Sequence, residues 1–462
     1  MTAEQDKLAH GQAAEHITAV VLRALRQFWT GRHALLLLDE FDRRATAFVD
    51  ELRACGARIG AVVARTGPAP GAAQIERSWH CSDAGRHFTA PEFEAWLHRP
   101  SADVAAWLDD LDPGRQWVVL GTPRTGVEEF CGRAVHGWRR PQWAAVEDKT
   151  TIDRLWAEAG VAAPPHRVVG ADELLRGPAD LAELSGSAGV VVAADATRGH
   201  VGDARGLRWV PDLDRFPAVA RDLAGRTDRA RIARFADGVP CSVLGLALPD
   251  GVAVFSPIEI VTLGAPASGR LLFCGSSTHW RPGEEAEHDI RDAARRAGTQ
   301  LARSIGYRGL FSVDGLLTPD GFRATELNPR HASGLGLRAA LPDFPLYLYN
   351  RAVQEDLPGL DDLTSAALER TVRRAVAAAP SYSLAVPVRR AARVFGSTGR
   401  RSLAAGGSLI DYRLRHGAAS LTAITPAAPH HRAGPACAAL AAHLGAPDLT
   451  SFPLNPPPHP DK

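Results

Sequence analysis

The chain has 462 residues carrying 53 basic and 52 acidic side chains, a formal net charge of +1, so charge gives no case for a nucleic acid or an anionic membrane as its main partner. At 45% hydrophobic and 23% charged residues it is an ordinary globular composition, long enough for about two to four domains. Cys55, Cys81, Cys131, Cys241, Cys274 and Cys437 are scattered with no C-x-x-C pair, which argues against a disulfide framework or a zinc site.

The polar opening MTAEQDKLAHGQAAEH has no signal-peptide pattern, and no apolar run approaches the roughly 18 residues of a membrane span, so the expected location is cytoplasmic. Residues 1 to 30 predict a helix with an apolar stripe of Ile17, Val20, Val21, Leu22, Leu25 and Phe28. ALLLLDEF, DRRATAFVDELRACG and IGAVVART read as strand, helix and strand, and WVVLGTP as another strand, giving a small open α/β domain. It has no G-x-G-x-x-G fingerprint, which argues against a dinucleotide. His80, Cys81 and His87 are irregularly spaced and read as loop residues.

In Glu147–Val169, Asp148 is placed to cap a helix over DRLWAEAG, Gly160 to end it, and Pro164-Pro165 to lead into a strand. Lys149 is notable because only Lys7 and Lys462 share its type in an arginine-rich chain. GVVVAADATRGHVGDARGLRWV is strand, glycine-containing loop and strand. Its loop reads equally as an ordinary hairpin or as backbone N–H groups folded over phosphates. VAVFSPIEIVTL is a strand with Glu259 at its middle, and a carboxylate there needs either a ligand in a cleft or an arginine partner. HDIRDAARRAGTQLARSIGYRG is a helix ended by Gly306.

The chain then enters GLFSVDGLLTPDGFRATELNPR. Two strands are joined by Pro319-Asp320-Gly321, a three-residue loop in which Gly321 takes a left-handed conformation. Centring that loop on Asp320 sets Asp314 opposite Glu326, and alternation puts Asn328 on the same face. Two carboxylates and an amide oxygen with no basic partner between them would suit a hard divalent cation such as Mg²⁺. Arg330, after Pro329, offers a planar fork for a phosphate or carboxylate. HASGLGLRAA follows as a small polar loop.

These motifs resemble those of the ATP-grasp ligases: D-K ahead of a helix and A-G-V with prolines, then an acidic residue on one strand and E-x-N-P-R on the next. The resemblance covers about residues 146–338. It implies α/β and α+β architecture: a pre-ATP-grasp-like domain (1–140), two ATP-grasp lobes (141–235 and 236–350), and a C-terminal subdomain with a proline-rich tail (351–462). The implied cofactors are ATP and Mg²⁺, with Asp314, Glu326 and Asn328 on the metal and Arg330 catalytic. Lys149, Arg198, Gly199, Gly202 and Arg205 would meet the nucleotide phosphates, and the hinge at Phe235 and Ala236 the adenine. Glu259, His331, Ser333 and Gly334 are candidate substrate contacts.

The chain departs from the pattern twice. Ala193 stands where the family's second phosphate-binding lysine is usual, so Arg198 or Arg205 would have to supply the charge. Ala233 and Arg234 stand where a carboxylate usually meets the adenine amino group. The implied activity is phosphorylation of a carboxylate and its coupling to an amine. Its partners would be a small-molecule acid and an amine or peptide, with no nucleic acid or membrane, and a homodimer is compatible. The Ala, Gly, Pro and Arg bias suggests a GC-rich bacterial gene, and such a chain with a pre-ATP-grasp-like N-terminal domain resembles peptide ligases of specialised, antibiotic-type metabolism, some of which join an unusual amino or guanidino acid to a peptide N-terminus. A nucleotide binder without turnover and a phosphotransferase are the competing classes.

Overall fold

The computed structural model describes residues 3–196, 206–331, 337, 341–387, 401–405, 408–415, 418–425 and 431–454. After a long first helix, Ala3–Trp29, the chain builds a parallel sheet. In it β1 (His33–Leu38) lies between β2 (Arg58–Ala64) and β4 (Val118–Leu120), with β3 (Ser78–His80) outside β2. Packing on both faces leaves Leu35, Leu36, Leu37, Val62 and Val63 fully buried, which is why these strands read as unbroken apolar runs. The strand order reverses beside β1, between the carboxyl ends of β1 and β4. A short ribbon, β5 (Glu129–Phe130) with β6 (Arg133–Ala134), follows.

His136, just beyond it, stacks on Phe28 at 4.9 Å between ring centroids. Burial, with Arg351 and Arg32 adding repulsion, pushes its imidazole from 6.5 down to about 4. Between those values the unfolded chain takes up a proton that the folded one refuses, so stability falls as pH drops through that window, by about 3 kcal/mol in total. His136→Phe is therefore expected to flatten the decline in melting temperature from about pH 7 to pH 4.5. Parallel wild-type and variant curves would contradict this assignment.

The second unit is an antiparallel sheet of β7 (His166–Gly170), β8 (Val190–Ala194), β9 (Leu207–Val210) and β10 (Arg229–Arg234), in the order β7-β10-β8-β9. One face, carrying Val169, Val190, Val192, Ala230 and Ile232, makes a core with Leu174 and Phe216 of the flanking helices. Alternation sends Ala193, Arg229, Arg231 and Ala233 to the other face. The helix Ile152–Glu158 lies on that side, its Asp153 bonded to Arg231. The expected cap at Asp148 is not formed: Thr151 is the N-cap, and Asp148 Oδ1 accepts from Thr150 N and Oγ1 at 2.8 and 2.7 Å.

The largest sheet holds eleven strands among the described residues. Its path is β16 (Gly321–Asn328), β15 (Gly309–Thr318), β11 (Val239–Leu248), β13 (Ile258–Ala265), β14 (Arg270–Ser277), β17 (Tyr382–Pro387), β20 (Ala418–Thr425), β19 (Ser408–Arg415) and β18 (Arg401–Ala405). β12 (Gly251–Val254) pairs with β11, and β21 (Thr450–Ser451) with β13. The late strands β17–β20, which read as an appended subdomain, thus continue the sheet through the β14–β17 pairing. The helix Glu284–Ile305 covers one face with Ile290, Ala294, Ala297 and Leu301, and stops at Gly306, whose φ of +61° is left-handed as expected. The tail is docked as far as Leu454, whose amide donates to Asp237 Oδ1 at 2.6 Å. All six cysteines are free, and no helix among the described residues is long and apolar enough to cross a membrane.

Candidate active site

The β15–β16 hairpin does set Asp314 opposite Glu326 and Ser312 opposite Asn328, but by another route than a three-residue loop. Thr318 pairs with Gly321, so the loop is Pro319-Asp320 alone, and Gly321, at φ +99°, begins the return strand. A two-residue loop by itself would pair Asp314 with Thr325. A β-bulge between the Gly315–Ala324 and Asp314–Glu326 pairs restores the register, leaving Thr325 unpaired, with its Oγ1 donating to Asp314 O at 3.1 Å. The bulge is what turns Glu326 and Asn328 onto the Asp314 face.

On that face the polar side chains form one connected set. Ser242, paired with Asp314 across β11, donates to Asp314 Oδ1 at 2.6 Å. Asn328 Nδ2 donates to Asp314 Oδ2 at 3.2 Å, and Arg330 Nη2 donates to Asn328 Oδ1 at 2.8 Å. Arg330 Nε reaches Glu147 Oε1 at 2.9 Å, and Arg139 holds the same oxygen at 2.6 Å. The expectation that no base lies among these groups is corrected: Lys149 Nζ sits 2.8 Å from Glu326 Oε1. Lys149 is thus a member of the hairpin's charged face.

Burial, and then the charge of Glu326, pushes the Asp314 carboxyl from 3.8 up to about 6, against the pull of Ser242, Lys149 and Arg330. Such a pair of carboxyls is what a divalent cation relieves. Among the described residues no group of three His, Cys, Asp or Glu is placed for a metal, so the protein's donors here are two carboxylates and one amide. That set suits Mg²⁺, which takes few protein ligands and fills its shell with water and phosphate oxygens. Turning the Asn328 amide over would present its oxygen on the Asp314 side and give up its bond from Arg330 Nη2.

The remaining candidates divide. Arg198, Gly199, Gly202, Arg205, Ser333 and Gly334 lie outside the described residues. His331 is buried and packs on Tyr347 with ring centroids 4.4 Å apart, a wall position rather than an open one. At the hinge, the Phe235 amide already donates to Gly189 O at 3.0 Å, and the ring stacks on Trp209 at 5.0 Å. That amide is therefore already bonded within the fold, so a nucleobase contact at Phe235 would fall to its carbonyl oxygen.

Glu259 takes the arginine alternative, correcting its placement at a substrate. It is fully buried, within 3.3 Å of Arg432, and accepts from Ala433 N at 2.7 Å and Gly434 N at 3.1 Å at the start of the helix Ala433–His443. It pairs with Cys241, the neighbour of Ser242, so alternation directs it to the sheet face away from Asp314.

Sequence reading missed Ser242, Glu147, Arg139 and Arg231. For the first three no local pattern marks them, because each joins the site from a separate element. Arg231 had a signal: RARIAR alternates, placing Arg229 and Arg231 on one face and Ala230 and Ile232 on the other.

No protein-family model matches the chain, and no curated protein matches it in sequence. Solved structures do match its fold. An L-amino acid ligase from Bacillus licheniformis has a TM-score of 0.55 at 14% identity, the match covering 92% of this chain and all of that one (100%). An N5-carboxyaminoimidazole synthase from Aspergillus clavatus, in complex with ADP and 5-aminoimidazole ribonucleotide, scores 0.53 at 14% identity over 86% of this chain and 95% of that one. The ADP complex of an N5-carboxyaminoimidazole ribonucleotide synthetase scores 0.51 at 18% identity over 71% and 78%.

Proposed function

We propose that this chain, which has the ATP-grasp fold, is an ATP-dependent carboxylate–amine ligase. The observation that carries the reading is the joined face of Asp314, Glu326, Asn328, Arg330 and Lys149 on the hairpin and its neighbours. A carboxylate resists nucleophiles because it is already negative. Phosphorylation by ATP makes one of its oxygens a leaving group, and an amine then displaces phosphate to form the amide. Mg²⁺, held by Asp314, Glu326 and Asn328, would screen the phosphate charges.

The chain's own side chains have distinct tasks. Lys149 neutralises phosphate oxygens as a point charge, and Glu326 holds its ammonium in place until they arrive. Arg330 stabilises the charge that develops on the acid being activated and on the tetrahedral oxyanion that follows. Glu147, anchored by Arg139, fixes the guanidinium plane of Arg330. The narrower reading, an unusual amino or guanidino acid joined to a peptide N-terminus in natural-product assembly, is supported by the gene's composition and by the similarity in fold to an amino acid ligase.

Incubation with ATP, Mg²⁺ and pooled amino acids and peptides tests the class. A ligase yields ADP together with a new amide. A stable phosphorylated product would make it a phosphotransferase, and binding without product a nucleotide sensor. Lys149→Ala is expected to weaken ADP affinity about tenfold or more in calorimetry, the scale of one charge-assisted contact. Unchanged affinity would make Lys149 only the counter-ion of Glu326.

A further inference from the structure

The small lobe carries no lysine on β8, yet its inner face is not without charge. In the β8–β10 register Arg231 is paired directly with Ala193, so the two side chains leave the sheet on the same side. That side is opposite the one where Val190, Val192, Ala230 and Ile232 form the lobe's core. Arg231 is only 5% exposed, which is unusual for arginine, and its fork is fastened: Nε and Nη2 donate to Asp153 Oδ2 and Oδ1 at 2.7 and 2.8 Å. His166 Nε2 lies 3.1 Å from the same Asp153 and steadies it from β7. Two of the three guanidinium nitrogens are thereby committed, and Nη1 keeps two N–H groups that these contacts do not use.

The surroundings hold charges of both signs. Arg229, two residues earlier on the same face, is half exposed and stands 4.0 Å from both Asp148 and Asp195. Asp148 immediately precedes Lys149, and its Oδ2 accepts from Ala196 N at 3.3 Å, where β8 gives way to the following loop. A single helix start therefore brings Lys149 and Asp153 to the same side of the lobe as the two arginines of β10.

We propose that Arg231 is the small lobe's phosphate-binding residue, supplying from β10 the cation that β8 lacks at Ala193, with Asp153 as the bracket that orients it. The inference rests on the nucleotide-binding reading above and adds a residue to it. The ligand chemistry is a nucleoside di- or triphosphate, contacted at phosphate oxygens rather than at base or sugar. A guanidinium held at two nitrogens is pre-oriented, so it loses little freedom when the third meets an oxyanion.

The test is calorimetric titration of the full chain with ADP and with adenosine. Arg231→Ala is expected to weaken ADP at least tenfold while leaving adenosine affinity within about twofold, because only the phosphates lose a partner. Adding Ala193→Lys to that variant restores a cation on the same face from the neighbouring strand and is expected to recover a large part of the ADP affinity. Arg231→Met, which keeps the aliphatic volume, serves if Arg231→Ala does not fold. Unchanged ADP affinity, or equal losses for ADP and adenosine, in a folded Arg231 variant would overturn the proposal and leave a structural ion pair. If the wild-type chain does not bind ADP at all, the nucleotide reading fails together with it. Lys149→Ala weakening ADP while the Arg231 variants do not would sink this inference alone.

Discussion

Glu326→Gln and Arg330→Ala are each expected to yield a folded protein that turns over ATP and acid about a thousandfold more slowly than wild type, or not at all. The first removes one of two carboxylates from a face whose charge, on the present reading, is needed to hold Mg²⁺ against the phosphates. A glutamine still accepts from Lys149, so the hairpin keeps its contact and the change falls on charge rather than on packing. The second removes the group that meets developing negative charge. Glu147 keeps Arg139 as a partner at 2.6 Å, so no buried carboxylate is abandoned and the fold is spared. Release of ADP with the acid and amine present measures turnover, and circular dichroism with thermal melting measures folding. Wild-type rates in either variant would mean that the chemistry lies elsewhere.

Glu259→Ala is expected to do the reverse, costing about 3–5 kcal/mol of stability while leaving ADP affinity in the surviving folded protein unchanged. The carboxylate is fully buried and serves three donors: Arg432 and the first two amides of the helix Ala433–His443. Removing it leaves the Arg432 guanidinium with Phe452 O but without this carboxylate partner, and leaves a helix start uncapped, two separate penalties at one site. Chemical denaturation followed by tryptophan fluorescence reads the loss. A variant of wild-type stability with weakened substrate binding would return Glu259 to the active site.

The two variants separate what a carboxylate in a strand can be. Both Glu259 and Glu326 lie in strands of the same sheet. Glu326 is partly exposed beside a lysine and a second carboxyl, an arrangement that invites a cation, whereas Glu259 has its negative charge fully answered by the protein. The same contrast holds among the arginines. Arg330 bridges Glu147 and Asn328, so its orientation is imposed by neighbours on two elements, and Arg231 is held by Asp153 in the same manner.

The sequence by itself determined the elements whose cause is local. Apolar runs specified β1 and β2 because those strands are buried on both faces, Gly306 ended its helix because only a left-handed residue fits there, and E-L-N-P-R set Glu326 and Asn328 two apart on one side of a strand. The tertiary structure alone decided the features that depend on residues far apart in the chain. It placed Lys149 against Glu326, Ser242 against Asp314 and Arg231 across from Ala193, and it gave Glu259 to a helix that begins more than 170 residues later. It also decided the hairpin's register, where a bulge at Thr325 compensates a shorter loop. The physical reason is that alternation and turn chemistry act over a few residues, whereas the partner a charge finds depends on which strands pair and which helix lies across them.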